Sequence, residues 1–245
     1  MIGRQLASEW VKLRSLPSTW IVVGIAVLGI VAQAVVALVT VKDHSSEELA
    51  LGVMSGSSMT LVLVVVLGVT ASAAEYSQKS IITTYTVTPG RWQVLLAKAI
   101  VVAGVALALG LLSVPLSRLI AAIWFAFGEG SWSAGFGDAV HYAIGIMIAY
   151  VGFSILGVLI GTLARSPALG VGIAFGLLFV IDPLLGSFSF YSEYSTSAVS
   201  QTLLDPDNRQ SNQPLFGSAI ALLALYAVVL AAITVGVEDR RDVHA

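Results

Sequence analysis

Long apolar runs separated by short polar stretches organise the 245-residue chain. A helix needs about 20 residues, at 1.5 Å each, to cross a hydrocarbon core of about 30 Å. Six runs meet that length: Trp20–Val41, Leu49–Ala73, Val94 to at least Val114 and out to about Ser117, Ala139–Leu163, Ala168–Leu185 and Leu215–Val237. Asp182-Pro183 is expected to break the far end of the fifth. Backbone groups in lipid must be satisfied within the protein, and no ten-residue alternation is visible, so the runs are helices and not barrel strands. The first run is too long for a cleaved signal peptide and reads as a permanent anchor.

Between the runs lie stretches with patterns of their own. In residues 1–17, Ile2, Leu6, Trp10 and Leu13 recur at helical spacing, with Arg4, Ser8 and Lys12 on the other side and Pro17 as the stop. That is an amphipathic interfacial helix with Trp10 at the headgroup level and Lys12 and Arg14 toward anionic lipid; a basic flank that merely fixes orientation is the alternative. Residues 75–88 read as a second polar helix, in which Glu75 and Lys79 make an i,i+4 pair. There Ile81, Ile82 and Tyr85 share a face, and Pro89-Gly90 ends the helix before Arg91 and Trp92 open the third span. A turn between antiparallel spans needs about 2–8 residues, so this insert exceeds what connection alone requires. Residues 186–214 are rich in Ser, Tyr, Asn and Asp, with a short helix expected over Ala198–Leu204 and stopped by Asp205-Pro206. Residues 120–128 are either a re-entrant piece or the end of a long third helix, with Arg118 at the interface, where it avoids the cost of about 2.5–3.5 kcal/mol of a mid-membrane Arg.

Composition agrees: 57% of residues are hydrophobic and 11% charged, against about 25% charged in soluble domains. The chain is an all-α integral membrane protein. With the N-terminus inside, nine of the twelve Lys and Arg residues (Arg4, Lys12, Arg14, Lys79, Arg91, Lys98, Arg165, Arg240 and Arg241) fall on the cytoplasmic side. Both termini are then expected in the cytoplasm, with the 75–88 helix. A net charge of −2 gives no sign of a nucleic-acid partner.

Little in the chain can do chemistry. It has no G-x-x-x-x-G-K-[ST] loop to cradle phosphate and no H-E-x-x-H. It has no cysteine, and its histidines (His44, His141, His244) have no ligand-like spacing. No metal or catalytic site is expected. A dyad of His141 with Ser55, Ser57 or Ser58 is conceivable, but Ser and Gly commonly serve close helix packing in membranes. The same holds for the Gly157–Gly161 and Gly172–Gly176 spacings. The spans also lack the chain of acidic residues that marks an ion-coupled carrier.

The order of these features carries a family likeness. A short amphipathic helix containing 8-SEWVKLRS-15 precedes span one. Two spans later comes 75-EYSQKSIITTYTVTPGRWQVLLAK-98, an acidic residue, an aromatic, a Ser/Thr-rich helix, then Pro-x-Arg and a Lys at the third span. Four spans and 238-EDRRD-242 complete the chain. This resembles the membrane (permease) subunit of type-2 ABC exporters, the class of antibiotic-resistance, bacteriocin-immunity and polysaccharide permeases.

The resemblance implies one transmembrane domain of six helices and a cytoplasmic coupling helix. It implies a homodimer or close heterodimer in the plasma membrane, joined to two ATP-binding subunits that hold ATP and Mg. It assigns coupling to Glu75, Tyr76, Lys79, Ile81, Ile82, Tyr85 and Arg91. A substrate path along spans two and five is implied at Ser55, Ser58, Met59 and Val62, and at Phe175 and Phe179, for a drug, an antimicrobial peptide or a lipid. The alternatives are a scaffold that transmits force in an ABC-like complex and an energy-independent carrier.

Overall fold

The computed structural model describes residues 2–40, 52–53, 55–56, 58–77, 91–127, 136–207 and 213–240. All regular structure there is helical, and six segments are long and apolar enough to cross a membrane. The helices are α1 (Ile2–Ser15), α2 (Pro17–Thr40), α3 (Ser58–Ser77), α4 (Arg91–Phe127) and α5 (Phe136–Ala164). The fifth span joins α6 (Pro167–Phe175), a π-helical stretch (Gly176–Ile181) and α7 (Asp182–Gly186). A short α8 (Thr196–Leu204) and the sixth span α9 (Phe216–Arg240) follow.

Local chemistry sets the helix limits. Pro17 opens α2 at a position where its missing N–H costs nothing. The Trp20 indole of α2 donates to the Arg14 carbonyl at 2.9 Å, which satisfies an acceptor that the last turn of α1 would leave open. At the α5–α6 link, Arg165 takes a left-handed φ of 54° and Ser166 is extended, the conformation favoured before proline, so Pro167 can start α6 at once.

Three expectations are corrected. The second span starts at Ser58, not Leu49, because the chain breaks at Ser55–Gly56. The Gly56 N–H donates to the Leu204 carbonyl at the end of α8 at 2.8 Å, a contact that continuous helix would forbid. Ser55 therefore does not share a helical register with Ser58, Met59 and Val62. Second, α4 is a single helix of 37 residues that runs through Pro115 and takes in residues 120–127, so the long-helix reading holds and the re-entrant one does not. Arg118 stands roughly 40 Å along that axis from Arg91, beyond the thickness of a hydrocarbon core. Third, Asp182-Pro183 does not end the fifth span: Pro183 falls in the first turn of α7, where a helix accepts it.

The core centres on α5, whose Tyr142, Ile146, Tyr150 and Phe153 are fully buried. It packs on α3 at backbone contact. A Cβ on Gly68 would lie 2.7 Å from the Val158 nitrogen, and one on Gly161 would lie 2.5 Å from the Val69 carbonyl. Gly157 meets Val65 in the same way. Small residues thus let two spans touch where apolar burial gives no drive, since lipid is as apolar as leucine. Gly172 and Gly176, by contrast, have nothing within 4 Å of an added Cβ.

Gly161→Leu should therefore lower stability by about 1–3 kcal/mol through overpacking, whereas Gly172→Leu should shift it by less than about 0.5 kcal/mol. Thermal melting of the purified chain in detergent checks the contrast. Equal melting of the two variants would contradict it.

Candidate functional site

Four charged side chains close a ring at one end of the bundle. Glu9 and Lys12 come from α1, Glu75 from the last turn of α3 and Lys98 from the second turn of α4. Lys12 Nζ meets Glu9 Oε1 at 2.6 Å, and Lys98 Nζ meets Glu9 Oε2 at 2.7 Å. Lys98 Nζ also meets Glu75 Oε1 at 2.6 Å, and Lys12 Nζ closes the circuit to the same oxygen at 3.2 Å. Signs alternate around the ring and its net charge is zero. Glu9, Glu75 and Lys98 are buried, so each would be costly to place there without the others. A cavity of about 210 Å³, walled by Leu13, Leu16, Ala71 and Val102, opens onto the four.

The ring tunes its own protonation. Burial pushes the Glu9 carboxyl up, but the Lys98 charge and the hydrogen bonds from Lys12 and Lys98 outweigh it and hold it below its ordinary value. Burial pushes Lys12 down, but the hydrogen bond to Glu9 and the Glu75 charge carry it above its ordinary value.

A second clamp grips the next residue. Tyr76 donates to Glu238 Oε2 at 3.1 Å, and Arg165 donates to Glu238 Oε1 at 2.7 Å. The Arg165 guanidinium also lies over the Tyr76 ring, 5.3 Å from its centroid. The end of α3 is thus tied on one side to α1 and α4 and on the other to the α5–α6 link and α9. Contact between Tyr76 and Glu238 also places the end of the sixth span on the same face as α1.

The far end of the bundle is polar in another way. Asp182 is buried and accepts from the Tyr191 hydroxyl at 2.9 Å and from the Thr196 and Ser197 amides at 3.0 and 2.9 Å, which pins the start of α8 to the fifth span. Burial, with the hydrogen bond and charge of the Asp182 carboxylate, raises the Tyr191 pKa. At the other end of α8, Asp205 accepts from the Tyr142 hydroxyl at 2.9 Å. A cavity of about 250 Å³ beside it is lined by Gln33, Ser55, Ser58, Gln201, Asp205 and Gln213.

Residues 5–182 match the profile of the ABC-2 family transporter protein. The chain belongs to the ABC-2 transporter family. No curated protein shows significant similarity to it. As an ABC-2 membrane protein it is a multi-pass permease component of an ABC transporter, and its partner is an ATP-binding subunit. The matched stretch holds all four ring residues but neither Glu238 nor α8.

The residues assigned to coupling divide. Glu75 and Tyr76 stand at the end of α3, side by side in the two clamps, so the Glu75 carboxylate is spent inside the chain, the residue being 7% exposed. Lys79, Ile81, Ile82 and Tyr85 lie outside the described residues, and so does the expected 75–88 helix beyond Ser77. Arg91 is the first residue of α4; its side chain is outside the description. Of the path residues, Ser55 and Ser58 line the far-end cavity, Met59 and Phe175 are exposed and Val62 is half-buried. Phe179 falls on the π-helical stretch, and its side chain is outside the description. Lys12, expected to face lipid, turns inward instead because two carboxylates wait there. Glu9, Lys98, Arg165 and Glu238 carry the clamps without having been assigned to a site. Their signal was available: charges next to apolar helices in a chain this poor in charge need partners.

Glu9 contributes stability above its ordinary value of 4.5 that is lost as pH falls through its lower folded value. Lys12 contributes below 10.5 and loses its contribution as pH rises through its higher folded value. Melting in detergent should thus be flat between those limits and fall outside them. Glu9→Gln should lower the plateau and weaken the acid decline, which a pH series of both proteins checks.

Proposed function

We propose that this permease works in an ATP-driven exporter of hydrophobic or amphipathic molecules. Two copies form the translocation path in the plasma membrane, termini in the cytoplasm, and two separate ABC subunits bind ATP and Mg on that side. The observation that carries this reading is the ring at the root of residues 78–90. A push on that segment meets α3 already fastened to α1 and α4, so force delivered there moves several helices as one body. An ion-driven carrier is less well supported: the buried carboxylates Glu9, Glu75, Asp182 and Glu238 are each engaged in fixed contacts rather than lined along a path.

In this reading Ile81, Ile82 and Tyr85 present apolar area to the ATPase, with Lys79 and Arg91 flanking them, while Glu75 and Tyr76 anchor the segment instead of docking it. Ser58, Met59 and Val62 of span two, Ser55 in the stretch before it, and Phe175 and Phe179 of span five line the path.

Burying one such aliphatic side chain is worth about 1.5–3 kcal/mol. Ile82→Asp should therefore release the ATPase in a pull-down at matched membrane levels and abolish transport, with the permease itself still folded. Full recovery of the ATPase on that variant would refute docking at this segment. ATPase docking and solute-stimulated turnover with no movement of any solute would favour a scaffold that transmits force.

A further inference from the structure

On the face of α1 away from the ring runs an apolar groove of about 540 Å³, bounded by α1, α2 and α4. Its walls are Leu6 and Trp10, Trp20 and Val23, and Gly104 and Val105. The volume is that of a site for a small molecule, about 300–1,000 Å³. The groove is open on the membrane side, where Trp10, Trp20 and Ile100 are each 46–56% exposed. Arg14 stands among the lining residues. Lys12, two residues away and on the other side of α1, is consumed by the ring, while the Arg14 guanidinium has no partner among the described residues. The Trp20 indole donates to the Arg14 carbonyl at 2.9 Å, which roots this exposed cation beside the groove.

We propose that this groove holds one anionic membrane phospholipid, with an acyl chain along Gly104 and the headgroup phosphate on Arg14. Three features select that occupant. Apart from Thr19 and Arg14 the lining residues are apolar, which suits a chain. The one charged residue in the groove lining is a cation, Arg14, beside the Trp20 indole, and indoles and cations of this kind sit where headgroups lie. Guanidinium also matches phosphate in two-point hydrogen bonding. The site is built into the chain and not merely annular, since Leu13 and Val101 form a partition between this groove and the chamber of the charge ring. A bound chain therefore braces the wall behind which Glu9 and Lys98 meet.

Gly104 makes the test clean, because an added Cβ meets nothing within 4 Å there. A larger side chain there starts from open space and projects into the groove that Gly104 lines. Purified, delipidated chain is mixed with palmitoyl-oleoyl phosphatidylglycerol or the matching phosphatidylcholine and examined by native mass spectrometry. Wild type should keep one phosphatidylglycerol per chain at activation that strips phosphatidylcholine. Gly104→Leu, and separately Ala108→Leu on the same exposed face, should cut retention of both lipids at least tenfold with unchanged melting. Arg14→Gln should leave phosphatidylcholine retention as it was and erase the preference for phosphatidylglycerol. Equal retention by wild type and both filled variants would overturn the proposal, as would an undiminished preference in Arg14→Gln. If the filled variants instead lose a chain–chain contact while binding lipid normally, a second copy covers the groove and the lipid assignment is wrong.

Discussion

Four charges that cannot stand alone in an apolar protein hold one end of this molecule together. Each of Glu9, Glu75 and Lys98 has left water almost completely, and removing one partner from such a pair costs about 3–5 kcal/mol. Alternation of sign around a closed circuit makes the arrangement self-sufficient. It also fixes where α1 can lie, since two of the four charges are on that helix. Without the ring, α1 would be an amphipathic helix free to ride on the membrane surface. With it, α1 is clamped to the ends of α3 and α4, and the groove beside it acquires a fixed third wall.

The rest of the permease carries that constraint along the bundle. Backbone contact between α3 and α5, through Gly68, Gly157 and Gly161, leaves little room for the two helices to slide. At the far end Asp182 and Gly56 tie α8 to the fifth and second spans. Spans one, five and six bury smaller shares of their surfaces within the chain than spans two and four do. The chain therefore combines a stiff centre with outer helices that keep apolar surface for lipid or for a second copy.

Much of this was readable from the sequence, for physical reasons. Six apolar runs mark six spans because a continuous apolar run of about 20 residues can satisfy its backbone in lipid only as a helix. Pro17 and Asp205-Pro206 mark helix ends because proline removes a donor. The missed limits arose where tertiary contacts overrule the local pattern. Leu49–Met54 reads as span, but the seat of α8 requires the break at Gly56. Asp182-Pro183 reads as a stop, but Pro183 sits in the first turn of α7 and Asp182 turns to the α8 amides, so the span runs past it. The site was half legible. Glu75 stood out as a charge and its sequence neighbour Lys79 looked like its mate, whereas its partners in space come from residues 12 and 98. Pairing across that distance leaves no periodic trace in one sequence.

The ring itself makes a demand that simple pairs do not. Exchanging only Glu75 and Lys98, as Glu75→Lys with Lys98→Glu, preserves that pair but sets like charges against Glu9 and Lys12. Reversing all four, with Glu9→Lys and Lys12→Glu added, restores alternation. Melting temperature in detergent, measured for the wild type, the two single reversals, the double and the quadruple, tests this most directly. A closed ring predicts that the singles are strongly destabilised, that the double recovers little and that the quadruple recovers most of the loss. Full recovery by the double alone would show that Glu75 and Lys98 act as an isolated pair and that α1 is not held by the charges.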